Sequence, residues 1–177
     1  MPTVTTPPHA AANSYTTTAA ADAYLATRPA AQANAWATLG AAAREAALIA
    51  ATAVLEAYPW TGVKAHALAD NALAWPRSYV YNRDGQQYPG DTIPAPIQQA
   101  CAELAYLIAT GAVGTNGAAA TASAAALTSV TVGDISVSYD PERQAATTGF
   151  NSGYSSVVDL LIAPFVETRA PAARLTR

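Results

Sequence analysis

The feature that most constrains the fold is an alanine-rich stretch, residues 41–58, holding Arg44, Glu45, Leu48, Ile49, Thr52, Val54, Leu55 and Glu56. On a 3.6-residue period Leu48, Ile49, Thr52 and Leu55 gather on one half, and Ala43, Ala46, Ala47, Ala50, Ala53, Val54 and Ala57 fill the other. Neither half reads as a solvated face. The stretch therefore predicts a helix covered on both sides, its aliphatics in a core and its alanines letting a second helix approach closely. The competing reading is that alanine is simply the best helix former.

A chain of 177 residues suits one domain with appendages. Hydrophobic residues reach 51%, but much of that is alanine, and no run of eighteen large apolar residues offers a transmembrane helix. The N-terminus, Met1-Pro2-Thr3-Val4-Thr5-Thr6-Pro7-Pro8, lacks the basic and apolar regions of a signal peptide. The expectation is a protein made and used without crossing a membrane. The single cysteine, Cys101, cannot close an internal disulfide, and His9 and His66 lie too far apart in sequence to suggest a zinc site. A formal charge of −3 with 9 basic residues leaves no electrostatic footprint for a phosphate backbone.

Residues 1–14, rich in Pro, Thr and Ala, read as an extended arm. A helical core domain follows over 15–110. Its first helix begins at Thr17 or Thr18, capped by the threonine hydroxyl, with Asp22 in its first turn, and stops before Pro29. A short second helix carries Trp36 and Leu39, and Gly40 separates it from the alanine-rich helix; Tyr24 and Trp36 are expected to cover that helix's aliphatic half. Between Trp60 and Tyr88 the pattern is irregular but aromatic. Trp60, Trp75, Tyr79, Tyr81 and Tyr88 predict a packed loop, in which Trp75, Pro76 and Arg77 are structural.

Ile93-Pro94-Ala95-Pro96 opens the clearest helix, with proline in its first turn and Gly111 past its end. Ile97, Ala100, Cys101, Leu104, Leu107 and Ile108 form its apolar stripe, and Gln98, Gln99, Glu103 and Tyr106 a wet face. Cys101 lies in the stripe as a small hydrophobe rather than a nucleophile. Residues 111–127 are an Ala/Gly-rich linker or a weak helix. Over 128–139 two alternating strands flank Gly133-Asp134, a hairpin that sets Val132 opposite Ile135, Val130 opposite Val137 and Thr128 opposite Tyr139. A lone hairpin is marginal in water, so its apolar face must rest on the helices or on a neighbouring subunit. A loop and short helix, capped by Ser155 or Ser156 and stopped by Pro164, fill 140–165. The tail, 166–177, carries Arg169, Arg174, Leu175 and Arg177 and reads either as a docking arm or as a frayed terminus.

No catalytic constellation holds together, and the expectation is a protein without enzymatic activity or cofactor. Gly149-Phe150-Asn151-Ser152-Gly153 has its serine one place late for a nucleophile elbow, and Asn82-Arg83-Asp84-Gly85 lacks the ligand series of a calcium loop. The carboxylates, Glu56 and Glu103 among them, are scattered and read as caps, turn residues or solvent-facing groups.

Six motifs in order carry a resemblance: Asn13-Ser14-Tyr15-Thr16-Thr17 with Ala20-Ala21-Asp22-Ala23-Tyr24; Ala35-Trp36; Arg44-Glu45-Ala46-Ala47-Leu48-Ile49; Leu73-Ala74-Trp75-Pro76-Arg77; Ile93-Pro94 leading to Ala100-Cys101-Ala102-Glu103-Leu104-Ala105; and Val132-Gly133-Asp134-Ile135-Ser136-Val137-Ser138-Tyr139. Together they resemble the tailed-phage head–tail connector adaptors, or head-completion proteins, whose sequences often carry the label DnaT-like single-stranded-DNA-binding protein. The resemblance implies a mainly α fold: a small helical bundle with a β-hairpin in the C-terminal half and extended N- and C-terminal arms. It also implies a virion protein of the neck, assembled in the host cytoplasm as a homo-oligomeric ring of twelve copies. Such a ring sits under the portal protein, extends the channel through which genome DNA passes, and receives the next neck or tail-completion protein, with no membrane involved. Interface candidates are Val130, Val132, Ile135, Val137 and Tyr139 on the hairpin and Arg169, Arg174, Leu175 and Arg177 on the tail, with Trp36, Trp75, Pro76 and Arg77 structural. The alternative is a DnaT-like module that binds single-stranded DNA, which needs a basic groove with stacking aromatics that the scattered basic residues do not suggest.

Overall fold

The computed structural model describes residues 3–67, 70–82, 84–113, 129–132, 135–138 and 155–167. The fold is mainly helical with a small antiparallel hairpin. Its helices are α1 (Thr18–Leu25), α2 (Ala30–Ala37), α3 (Ala41–Leu55), α4 (Ala95–Ala109) and α5 (Ser156–Ile162), the last running into a 3-10 turn at Ala163–Phe165. The strands are β1 (Val63–Lys64), β2 (Arg77–Ser78), β3 (Ser129–Val132) and β4 (Ile135–Ser138).

Local chemistry sets the helix ends. Thr17 caps α1, its hydroxyl accepting from the Ala20 N–H at 3.1 Å, and Ser155 caps α5 by accepting from the Val157 N–H at 3.2 Å. Gly40 stands at the N-cap of α3, and α2 meets α3 there at 112°. Pro94 and Pro96 open α4, and Gly111 follows its C-cap at φ 73°, a left-handed conformation natural to glycine after a helix. Asp22 departs from expectation. It lies in the second turn of α1, where it binds side chains rather than the helix dipole.

The molecule is built around α4, not α3. Helix α4 packs against α1, α3 and α5, and Ile97, Ala100, Cys101, Ala102, Glu103, Leu104 and Ala105 are all buried. The expected wet face is absent: Gln98, Gln99 and Tyr106 are half-buried and Glu103 is only 4% exposed. Glu103 is buried because Arg28, from the turn after α1, pairs with it. Tyr24 likewise turns to Glu103 on α4 rather than to α3, and burial with that carboxylate pushes its phenol up to about 12.

Helix α3 is one-sided. Ala47, Leu48, Ala51, Thr52 and Leu55 form its buried stripe against α4, while Ala43, Ala46, Ala53 and Ala57 are exposed. The expectation of a helix covered on both sides thus fails within the single chain, because α4, with α1 and Tyr15, covers α3's broad side while Ala43, Ala46, Ala53 and Ala57 stay exposed in the described body.

Behind α4, Trp60, Trp75 and Phe165 stack edge to face at 5.8 Å centroid spacings, and Tyr88 leans on Phe165 at 5.4 Å. The chain past α5 closes over this stack through a bridge between Trp60 and Val166 and the bonds Thr61 N–H to Phe165 O (2.8 Å) and Glu167 N–H to Pro59 O (2.8 Å). The packed aromatic loop is real for Trp60, Trp75 and Tyr88 but not for Tyr79 and Tyr81, which are 64% and 52% exposed.

In the second hairpin the register is Ser129 with Ser138, Val130 with Val137, Thr131 with Ser136 and Val132 with Ile135. That matches the pairing expected from alternation. The Thr128–Tyr139 pair lies outside the described residues.

Candidate interaction surface

Four described side chains are basic, and each is held by its own chain. Arg28 pairs with Glu103 and lies 5.6 Å from the Tyr24 ring centroid; the bond to Glu103 raises its pKa further. Arg44 donates to Asp22 Oδ2 at 2.9 Å and to Leu39 O at 3.1 Å, and Asp22 Oδ1 also accepts from Trp36 Nε1 at 2.6 Å. This Trp36–Asp22–Arg44 junction ties α1, α2 and α3 together. Lys64 Nζ donates to Asn71 O at 2.7 Å.

Arg77 does the most with one side chain. From β2 its Nε reaches Thr61 O at 2.7 Å, and its Nη2 reaches Trp60 O at 3.2 Å and Gly62 O at 2.7 Å. The rigid fork of a guanidinium suits three carbonyls converging in one turn. Burial pushes the Arg77 pKa down, an effect that nearby Tyr15, Glu167 and Glu56 oppose. Pro76 is buried beside Trp75, across a cis peptide bond.

Sequence reading missed Glu56. At the C-cap of α3 an acid opposes the helix dipole, yet here the carboxylate accepts from the Ala74 N–H at 2.9 and 3.2 Å and from the Tyr15 hydroxyl. It joins the N-terminal segment, α3 and the loop before β2. Burial first, and then this carboxylate, push the Tyr15 phenol far upward. No periodicity could reveal the role, since Tyr15 and Glu56 are 41 positions apart.

Among its exposed polar and acidic positions, the folded body also leaves some apolar groups open. Val63, Tyr79, Tyr81 and Leu160 are the exposed large hydrophobic residues, and α3 adds its alanine face. Val63 lies in the β1–β2 pair opposite Ser78, with Lys64 opposite Arg77, and Tyr79 follows directly after β2. Tyr79 holds φ at 61°, which a bulky residue adopts only at a cost of about 1–3 kcal/mol. Asn82 Oδ1 accepts from Asp84 N–H (3.0 Å) and Gln86 N–H (2.8 Å), shaping the turn beyond Tyr81 as an Asx turn rather than an ion loop. Described acids outnumber described bases nine to four, so the body is more acidic than the whole chain.

Of the sequence-predicted residues, Trp36 and Trp75 are buried and, with Pro76 and Arg77, sit in the junctions just described. Val130, Val132, Ile135 and Val137 occupy paired strand positions. Tyr139, Arg169, Arg174, Leu175 and Arg177 lie outside the described residues. Among the described residues no single helix is long and apolar enough to cross a membrane.

Compared with known families, residues 3–177 match the model of one described as "Putative DnaT-like ssDNA binding protein". No curated protein and no solved structure matches the chain.

Proposed function

We propose that this chain, which belongs to the DnaT-like family by a match over residues 3–177, acts as a head–tail connector adaptor. In this reading copies assemble as a ring under a phage portal, continue its DNA channel, and present a platform to the next neck protein. One observation carries the choice of an assembling structural protein: every described basic side chain is engaged within the fold, in a body whose acids outnumber its bases. Such a body repels phosphate, as suits a channel through which DNA slides. Its exposed apolar groups are Val63, Tyr79, Tyr81, Leu160 and the alanines of α3, which suit contacts with protein. The Val130–Val137 hairpin and the tail bearing Arg169, Arg174 and Arg177 are further contact candidates.

The family's description supports a second reading more directly, that of a single-stranded-DNA-binding module. Exposed Tyr79 and Tyr81 are the side chains that could stack on bases. Mass photometry and negative-stain imaging of the protein, alone and mixed with portal, separate the two. The adaptor reading expects rings, or monomers that assemble on the portal. A monomer that ignores portal and binds oligonucleotide tightly at physiological salt would establish the second reading instead.

A further inference from the structure

The N-terminal segment is ordered mostly by itself. Asn13 closes it into a loop: its Oδ1 accepts from Thr5 N–H at 2.7 Å, its Nδ2 donates to Thr3 O at 2.9 Å, and its N–H donates to Thr5 O at 2.8 Å. Ser14 N–H adds a bond to the same Thr5 carbonyl at 3.2 Å, and His9 accepts from Ala11 and Ala12 N–H groups at 2.9 and 3.0 Å. Loops with joined ends and internal contacts behave as compact units.

Its ties to the rest of the chain are fewer. Ala72 N–H donates to His9 O at 3.2 Å, Tyr15 N–H donates to Thr52 Oγ1 at 3.1 Å, the Tyr15 hydroxyl donates to Glu56, and the Ser14 side chain and Tyr15 backbone also bond the Cys101 thiol. Up to Ser14 only Ala12 and Ser14 are buried, and Val4 packs partly on the core; the anchor of the segment is Tyr15, 1% exposed in the core, with buried Thr16 beside it, so a single large side chain pins the loop down.

The body does not depend on these ties for its own polar balance. If Tyr15 leaves, Glu56 still accepts from Ala74 N–H, and Thr52 Oγ1 still donates to Leu48 O at 2.9 Å. No carboxylate is stranded, so the usual penalty for breaking a buried polar pair is absent on that side. Beneath Ser14 and Tyr15 lies the thiol of Cys101, fully buried and 3.3 Å from Thr52 Oγ1.

We propose that residues 3–16 form a latch that lifts as one unit while the helices stay folded, uncovering the seam between α3 and α4. Proteins open in such cooperative pieces where few contacts cross from piece to body.

Cys101 is the chain's single cysteine and therefore a native reporter. The test measures labelling of the full chain by an aromatic disulfide reagent across a urea series. The latch predicts a labelling rate that is flat at low urea and joins the global-unfolding line only near the midpoint. Tyr15→Phe, which cuts the tie to Glu56, should raise the low-urea rate by about tenfold to a hundredfold while the flat low-urea limb persists, and should raise the unfolding constant by the same factor, because the lifted and the unfolded states both lack the bond. Amide exchange on the unmodified protein gives a second reading that does not require the variant to fold: Tyr15 and Ala72 should exchange well before Leu104 and Ala105 in α4. The proposal is overturned if wild-type labelling climbs from zero urea with the full slope of unfolding, or if the Tyr15 and Ala72 amides exchange together with those of α4.

Discussion

At the scale of single residues, the region around β2 depends on shape as much as on charge. Arg77 meets three carbonyls with a planar fork, so Arg77→Lys keeps the charge and loses the geometry. A loss of about 1–3 kcal/mol in urea unfolding is expected, since carbonyls left in a half-buried turn lose charge-assisted bonds. Gly62, in the same turn, has φ at 73° and no room: an added Cβ would lie 2.4 Å from Ser78 O and 2.8 Å from a Val80 methyl. Gly62→Ala should therefore destabilise more than the about 1 kcal/mol of a strained backbone alone, whereas Gly85→Ala, equally left-handed but in open space, should cost only that backbone term. Comparing the two midpoints isolates the clash. Burial pushes the Cys101 thiol up to about 11 from an ordinary 9.0. The folded state thus holds the proton more tightly than the unfolded one, and this contribution is complete below pH 9 and lost between pH 9 and 11. Stability should fall by about 2 kcal/mol over that window, and Cys101→Ala should remove this part of the decline. The thiol's burial was legible from its place in an apolar stripe. The Tyr15–Glu56 bond and the Arg28–Glu103 pair were not, because each joins residues far apart in sequence through atoms that periodicity does not describe.

At the scale of elements, local signals placed the helix starts and stops well: Thr17, Gly40, Pro94, Gly111 and Ser155 each stand where capping chemistry wants them. The hairpin register followed from alternation alone. What misled was judging which helix is central by the hydrophobicity of its faces. Helix α3 looked two-sided because alanine counts as apolar, yet its Ala43, Ala46, Ala53 and Ala57 are exposed. Helix α4 looked half wet because Glu103 and two glutamines interrupt it, yet a cation from another element neutralises Glu103. Alanine exposes so little surface that it tolerates either environment, and a charged residue can be buried when its partner arrives from elsewhere. The exposed alanine face yields a direct test of assembly. Ala46→Arg combined with Ala53→Arg should leave the monomer's unfolding midpoint within about 0.5 kcal/mol per site, as exposed helix positions allow. If copies meet through this face, the same pair abolishes ring or portal-bound assembly in mass photometry; assembly at wild-type level would assign the contact to another surface.

At the scale of the whole molecule, the distribution of charge decides between sliding past DNA and holding it. Single strands release counterions in proportion to the phosphates they neutralise, with a slope of about −0.7 in log K against log salt for each contact. In the described body Arg28, Arg44, Lys64 and Arg77 are already engaged, so none stands ready to add to that slope. The chain's other basic residues are Arg83, Arg143, Arg169, Arg174 and Arg177, three of them in the tail. An adaptor should therefore bind a labelled oligonucleotide weakly in fluorescence anisotropy, with a slope shallower than about −1.4, the value for two phosphates. Tight binding with a slope of about −3 would require several of the remaining arginines to act together. Replacing Arg169, Arg174 and Arg177 by alanine then separates the sources. A collapse of the slope places the DNA-holding groups in the tail and makes the chain a single-strand binder built on an acidic body. With weak binding to begin with, the same triple variant should instead lose portal attachment while its unfolding curve stays unchanged, as expected of a tail that docks on protein.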